Sequence, residues 1–205
     1  GDGSSLIVDV LANAVFDLAT NPSVASLNLV VTESPDIIPP FITGASLNYD
    51  VGMITFTTSE RIDVTPSSGI DMSKIFIANT NGGNTIALNA AQLQTANDAT
   101  TVSIKISEAS RALAIAISAM PGGDGVTAFL DVSAAFMHDI GLVNNLLQNG
   151  IVLSETPDIT PPNFVSGSIS YDDSISSGGR RIILTLSETI DLTPISLVNI
   201  SCFML

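Results

Sequence analysis

The stretch PDIIPPFITGASLNYD at residues 35–50 recurs as PDITPPNFVSGSISYD at residues 157–172, which is 122 residues further along the chain. The match covers residues 1–50 and 123–172 without a gap, and it continues at an offset of 128 after six inserted residues, 174–179. In all, 27 aligned positions are identical, about a third of those compared, which is too many for chance in a fixed register. A repeat of this length predicts similar structural units arranged in tandem.

The repeat period also predicts where the units begin and end. Residues 36–157 are expected to form one complete module, residues 1–35 the C-terminal part of a preceding module, and residues 158–205 the N-terminal part of a following one. Neither outer piece is long enough to bury a core of its own. We therefore expect the sequence to be a window from a longer array. The alternative is that neighbouring chains complete each other by sharing strands.

Short runs of alternating apolar and polar residues indicate β-strands. Val102–Ile106 and Ile54–Thr57 show this alternation most clearly. Further strands are predicted at 41–48, 75–79, 85–90, 127–132, 150–154 and 182–186. A short helix is predicted to follow Ser107, a suitable N-cap, and to end at Pro121-Gly122-Gly123, with a buried strand over Ala112–Ile117 as the alternative. This pattern predicts an all-β fold of antiparallel β-sandwich modules in tandem, each with one short helix.

Composition excludes several classes of function. Twenty acidic residues against six basic ones give a net charge of −14, which would repel the phosphate backbone of a nucleic acid. No apolar run approaches the roughly 18 residues of a membrane span, so no direct membrane insertion is expected. The single histidine, His138, and the single cysteine, Cys202, have no predicted partner. We expect His138 to lie at the surface, Cys202 to pack as a small apolar residue in a strand, and the protein not to be an enzyme.

The residues that recur in both copies resemble those of prokaryotic Ig-like repeats. They are a D-x-x-P-P motif at Asp36–Pro40, an S-E-x-I-D motif at Ser59–Asp63, and a closing segment that begins Asp131-Val132 and reaches Asp139. Such repeats occur in tandem in S-layer proteins, large adhesins and extracellular filaments. The resemblance implies an Ig-like sandwich, a location on the outside of a prokaryotic cell, and a structural or adhesive role.

Acidic residues are the chemically informative positions. Of nine acidic positions in the first copy, eight remain acidic in the second, although only about a third of all positions are identical. Turn and cap roles, in which a carboxylate bonds its own backbone, explain Asp50, Asp63, Asp124 and Asp131. A second hypothesis is a Ca²⁺ site at one end of the sandwich, because Ca²⁺ binds about six to eight oxygen ligands. Its candidate ligands are Asp36, Glu60, Asp63, Asp139 and Asn144.

These observations favour a structural cell-surface protein, in which rigid modules joined by proline-rich linkers build an S-layer, stalk or extracellular filament. Its expected partners are copies of itself or neighbouring modules of the same chain. One alternative is an adhesin that binds a carbohydrate or a protein, although the absence of tryptophan leaves few stacking platforms for sugars. Others are a strand-exchanging filament subunit, and a spacer attached to a catalytic domain elsewhere in a larger chain.

Overall fold

The computed structural model describes residues 6–170, 181–192 and 199–202. The fold is mostly β-sheet, so the prediction of an all-β protein is confirmed. The strands are β1 (Ile7–Val10), β2 (Ser26–Val30), β3 (Ile42–Asn48), β4 (Met53–Ile62), β5 (Ile75–Ala78), β6 (Ile86–Ala87), β7 (Gln92–Leu93), β8 (Ala99–Lys105), β9 (Phe129–Val132), β10 (Gln148–Thr156), β11 (Phe164–Ser170) and β12 (Arg181–Leu186).

The predicted helix is present as α1 (Glu108–Ile117), and Ser107 is its N-cap. The Ser107 side chain accepts a hydrogen bond from the backbone N–H of Ser110, which is how an N-cap satisfies a free donor of the first turn. Short 3-10 turns lie at Ser67–Gly69, Met72–Lys74 and Ile200–Cys202. The described helices are all too short or too polar to cross a bilayer.

Strands β3 to β10 form one curled sheet in the order β6-β5-β9-β10-β3-β4-β8-β7, and we call this sheet together with α1 the central unit. Apolar side chains alternate along β4 and β8, so that Ile54, Phe56 and Ile104 point inward and are fully buried. The rings of Phe56 and Phe136 meet inside the curl with their centroids 5.8 Å apart. The hydrophobic core therefore lies between the two halves of this sheet.

One pair of strands in the sheet is parallel, which the sequence pattern did not predict. Leu153 to Thr156 of β10 run alongside Ala45 to Asn48 of β3 in the same direction, whereas all other described pairs are antiparallel. Because the first and last strands of the central unit run the same way, the chain comes in at one end and leaves at the other. We call these the leading end, where β3 begins, and the trailing end, where β10 ends.

The sequence repeat corresponds to a repeat of strand pairing. Ile7 opposes Val30 and Val10 opposes Ser26 in the β1–β2 hairpin, and their counterparts Phe129–Val152 and Val132–Gln148 pair in the same way in β9–β10, including the bulge. The β11–β12 hairpin repeats β3–β4 with the same register. Among the described residues, the cluster of buried side chains that forms the hydrophobic core runs from Ile42 to Leu153, so the core belongs to the central unit.

Candidate functional sites at the two ends of the central unit

Three of the five predicted metal ligands meet at the leading end. One carboxylate oxygen from each of Asp36, Glu60 and Asp139 lies within 4.8 Å of the others, and we call this group the acidic cluster. Asp36 belongs to the proline-rich segment before β3, and its Oδ1 accepts the backbone N–H of Ile38. Glu60 lies near the end of β4, and a β-bridge between Ile62 and Asp139 holds the closing loop beside it.

Asp139 is the buried member of the cluster and is only 1% exposed. Its Oδ1 accepts the backbone N–H of Val143 at 2.9 Å, whereas its Oδ2 is buried and has no hydrogen-bond partner among the described residues. A buried carboxylate oxygen without a donor is costly, because it has lost its water and gained nothing in exchange. A cation bound to this oxygen would provide the missing interaction.

The pKa of Glu60 responds to its place in the cluster. Partial burial raises the pKa of Glu60 above its ordinary value, and the nearby carboxylates of Asp139 and Asp36 raise it further. Removing water and adding like charges both disfavour the ionised form. The leading end therefore concentrates negative charge that a cation would neutralise.

The other two predicted ligands lie outside this cluster. Oδ1 of Asp63 accepts the N–H of Thr65, and its Oδ2 faces His138 Nδ1 at 3.9 Å. Asn144 is exposed, and its backbone forms a bridge with His138. His138, expected at the surface, is half-buried against Asp63. Cys202, expected to pack within a strand, is instead exposed in the 3-10 turn Ile200–Cys202, which is the repeat counterpart of the turn Met72–Lys74.

A second charged site lies at the trailing end, around Arg111 of α1. The guanidinium binds Glu108 one turn earlier, through Nε at 2.7 Å and Nη2 at 2.8 Å. It also binds Asp158, in the segment after β10, and Glu188, beyond β12, the latter at 2.9 Å. The Arg111 side chain is 7% exposed, so its contacts with Asp158 and Glu188 are shielded from water. We call this site the arginine clamp.

The clamp shifts the pKa values of Glu108 and Arg111 in opposite directions. The pKa of Glu108 is lowered from 4.5 to about 2, mainly by the guanidinium of Arg111 and also by the hydrogen bond that Glu108 accepts from the backbone N–H of Thr189. The carboxylates raise the pKa of Arg111, with Glu108 as the largest cause. Each group is thus held in its charged form. The clamp connects α1 and the end of the central unit to the β11–β12 segment.

Sequence reasoning did not single out Arg111. The signal was present, because only six basic residues stand against twenty acidic ones, and Arg111 lies three positions after Glu108 on a predicted helix. A lone arginine on the inner face of a helix needs carboxylates near it when it is buried. Its partners Asp158 and Glu188 are the repeat counterparts of Asp36 and Glu60, so both charged sites use the same two positions.

Of the acids predicted to bond their own turns, Asp63 does so through the N–H of Thr65, whereas Asp50 and Asp131 accept backbone N–H groups from distant segments, so for these two the local role was wrong. Asp131 is fully buried and accepts three backbone N–H groups, from Gly82, Asn84 and Gly150. Its counterpart Asp9 accepts the N–H of Asn28 at the matching position of the β1–β2 bulge. These carboxylates are structural.

We compared the chain with models of protein families, with curated proteins and with solved structures, and none of the three comparisons found a match.

Proposed function

We propose that this chain is part of a structural protein of the prokaryotic cell surface, built from tandem Ig-like modules that form an S-layer, stalk or extracellular filament. The observation that carries the proposal is the parallel pairing of β3 with β10. A unit whose first and last strands run in the same direction receives the chain at one end and releases it at the other. Copies joined head to tail then extend along one axis.

The arginine clamp supports the same proposal. Arg111 of the central unit holds Asp158 and Glu188, which are counterparts of two residues at the leading end of that unit. A buried, multiply bonded guanidinium fixes the angle between neighbouring elements better than a flexible linker does. The prolines at Pro157, Pro161 and Pro162 add stiffness to the connection. Stiff connections suit a stalk or lattice.

The test is direct imaging together with surface labelling. Antibodies raised against residues 36–157 should label intact source cells in immunogold electron microscopy, without permeabilisation. The native polypeptide should have a mass several times 21.2 kDa and form rods of evenly spaced beads. Labelling only after lysis, or a compact particle, would refute the proposal.

A second candidate is a filament subunit that exchanges strands, and one observation favours it. The β1–β2 hairpin corresponds to β9–β10, and β11–β12 corresponds to β3–β4. Because Leu153–Thr156 of β10 pair with β3 in the central unit, their counterparts 31–34, directly after β2, have the register to pair with β11 of another chain. Both hairpins expose apolar side chains, among them Leu29 and Ile183. A native mass near 21.2 kDa, together with concentration-dependent polymers in sedimentation, would favour this candidate.

A further inference from the structure

We propose that Asp36, Glu60 and Asp139 bind one Ca²⁺ ion at the leading end of the central unit. The three carboxylates come from three separate segments, namely the proline-rich segment, β4 and the loop between β9 and β10. A shared cation would tie these segments together. The inference does not depend on the cell-surface role, because the site lies wholly within one unit.

The unbonded oxygen of Asp139 is the first argument. In the first copy, both carboxylate oxygens of Asp17, the counterpart of Asp139, have hydrogen-bond donors. Oδ1 accepts the backbone N–H of Asn21, and Oδ2 accepts the side-chain amide of Asn21. In the second copy, Val143 stands where the first has Asn21. The backbone bond to Oδ1 is kept, but the amide donor to Oδ2 is gone. The valine therefore leaves an acceptor that a cation can use.

A second change in the same loop makes room at the site. Gly141 stands where the first copy has Ala19. A methyl group on Gly141 would lie 3.0 Å from Cβ of Asp36 and 3.1 Å from Oδ1 of Asp139. The missing side chain is what allows the closing loop to approach the proline-rich segment this closely.

The arginine clamp provides a precedent for a cation at these positions. Asp158 accepts the N–H of Thr160 on Oδ1 and binds the Arg111 guanidinium through Oδ2. Asp36 likewise accepts the N–H of Ile38 on Oδ1, which leaves its Oδ2 for the cluster. Glu188, the counterpart of Glu60, binds the same guanidinium. The counterparts of Asp36 and Glu60 thus bind one positive charge together, the guanidinium of Arg111.

The chemistry of the donors selects Ca²⁺ among common ions. The ligands are carboxylate oxygens, which suit hard cations, and the cluster contains no thiolate or imidazole. Ca²⁺ binds oxygen at about 2.3–2.6 Å, so ligands on opposite sides lie about 5 Å apart. The three carboxylate oxygens lie within 4.8 Å of one another, which fits this diameter. Mg²⁺ demands a tighter octahedron and retains its water, so it should bind more weakly.

The test is thermal unfolding of the 205-residue chain in EDTA and in CaCl₂, at physiological salt. Ca²⁺ at about 100 times its dissociation constant should raise the Tm by about 5–10 °C, with one ion per chain in calorimetry. An equal concentration of MgCl₂ should give a smaller shift. No Ca²⁺-dependent shift up to millimolar concentration would overturn the site, and a guanidinium from a preceding module would then be the better occupant.

Two substitutions distinguish a binding site from a structural cluster, because each should stabilise the protein in EDTA and remove the stabilisation that Ca²⁺ provides. Glu60→Gln removes a repelling charge, and Asp139→Asn replaces the unbonded oxygen with an amide group that can donate to the carboxylates of Asp36 and Glu60. Both should raise the Tm in EDTA and abolish the Ca²⁺ shift. Glu188→Gln, the matched substitution in the clamp, should leave the Ca²⁺ shift unchanged. A Ca²⁺ shift that persists in Glu60→Gln and Asp139→Asn would overturn the proposal.

Discussion

Arg111 shows how much a single buried charge can hold in place. Replacing it with methionine keeps a side chain of similar length but leaves Asp158 and Glu188, which are 11% and 16% exposed, without their cation. Leaving buried carboxylates unpaired should lower the free energy of unfolding by about 3 kcal/mol. Lys74→Met is the control, because Lys74 forms an exposed ion pair with Asp71 at the same three-residue spacing, and it should cost less than about 1 kcal/mol. Urea denaturation measures both values, and equal losses would contradict the clamp.

The acid sensitivity of the clamp can be predicted from the lowered pKa of Glu108. The pKa falls from 4.5 to about 2 on folding, so the stabilisation is fully present above about pH 4.5 and is lost as the pH falls towards 2. The free energy of unfolding of the wild type should therefore fall more steeply over this window than that of Glu108→Gln. Parallel curves, measured by urea denaturation at a series of pH values, would mean that Arg111 does not hold Glu108 in solution.

At the scale of single residues, the sequence predicted the acidic cluster in part. The repeat and the ligand chemistry pointed to Asp36, Glu60 and Asp139, because acids that stay acidic in both copies drew attention to these positions. Asp63 was indistinguishable from them in sequence, but its carboxylate faces Thr65 and His138. Which way a side chain turns depends on tertiary contacts that no repeat pattern encodes. The unbonded oxygen of Asp139 likewise became visible only in three dimensions.

At the scale of elements, the bulged hairpin is present twice, and the two copies differ in burial. Asp131→Ala would leave the N–H groups of Gly82, Asn84 and Gly150 without an acceptor in the core. We expect a loss of about 3–4 kcal/mol in the free energy of unfolding, because each buried donor left unsatisfied costs about 1–3 kcal/mol and water relieves part of this. Asp9→Ala in the exposed copy should cost less than about 1 kcal/mol. Denaturant titration of the two variants compares them, and similar losses would contradict this role.

The sequence predicted the elements far better than their arrangement. Alternation of apolar and polar residues located β3, β4, β8, β9 and β10, since a half-buried strand needs that period. Alternation says which face is buried but not which strand lies alongside, so the parallel β3–β10 pair and the curl of the sheet were not predicted. Strand β7 (Gln92–Leu93) was missed because two residues carry no detectable period.

At the scale of the whole molecule, the two charged sites lie at opposite ends of one unit. The carboxylates of the leading end are repeated just after the trailing end, where Arg111 meets their counterparts. In a head-to-tail array, each junction would therefore bring together carboxylates of one module and a cation, either an arginine of the module before it or a bound ion. The net charge of −14 makes such neutralisation valuable, because the acids at a junction would otherwise repel one another.

The two ends of the chain should contribute unequally to the stability of the central unit. Removing residues 1–30 deletes β1 and β2 but no residue of the buried core, which lies between Ile42 and Leu153, so the main unfolding transition should shift by less than about 1 kcal/mol. Removing residues 163–205 deletes Glu188 and Thr189, and with them two charge-assisted hydrogen bonds to the Arg111–Glu108 pair. That loss should be about 1–2 kcal/mol, because Asp158 remains to hold the guanidinium. Urea denaturation of the two shortened chains and the 205-residue chain provides the comparison. An N-terminal deletion that costs more than the C-terminal one would show that the β1–β2 hairpin supports the core and that the clamp does not.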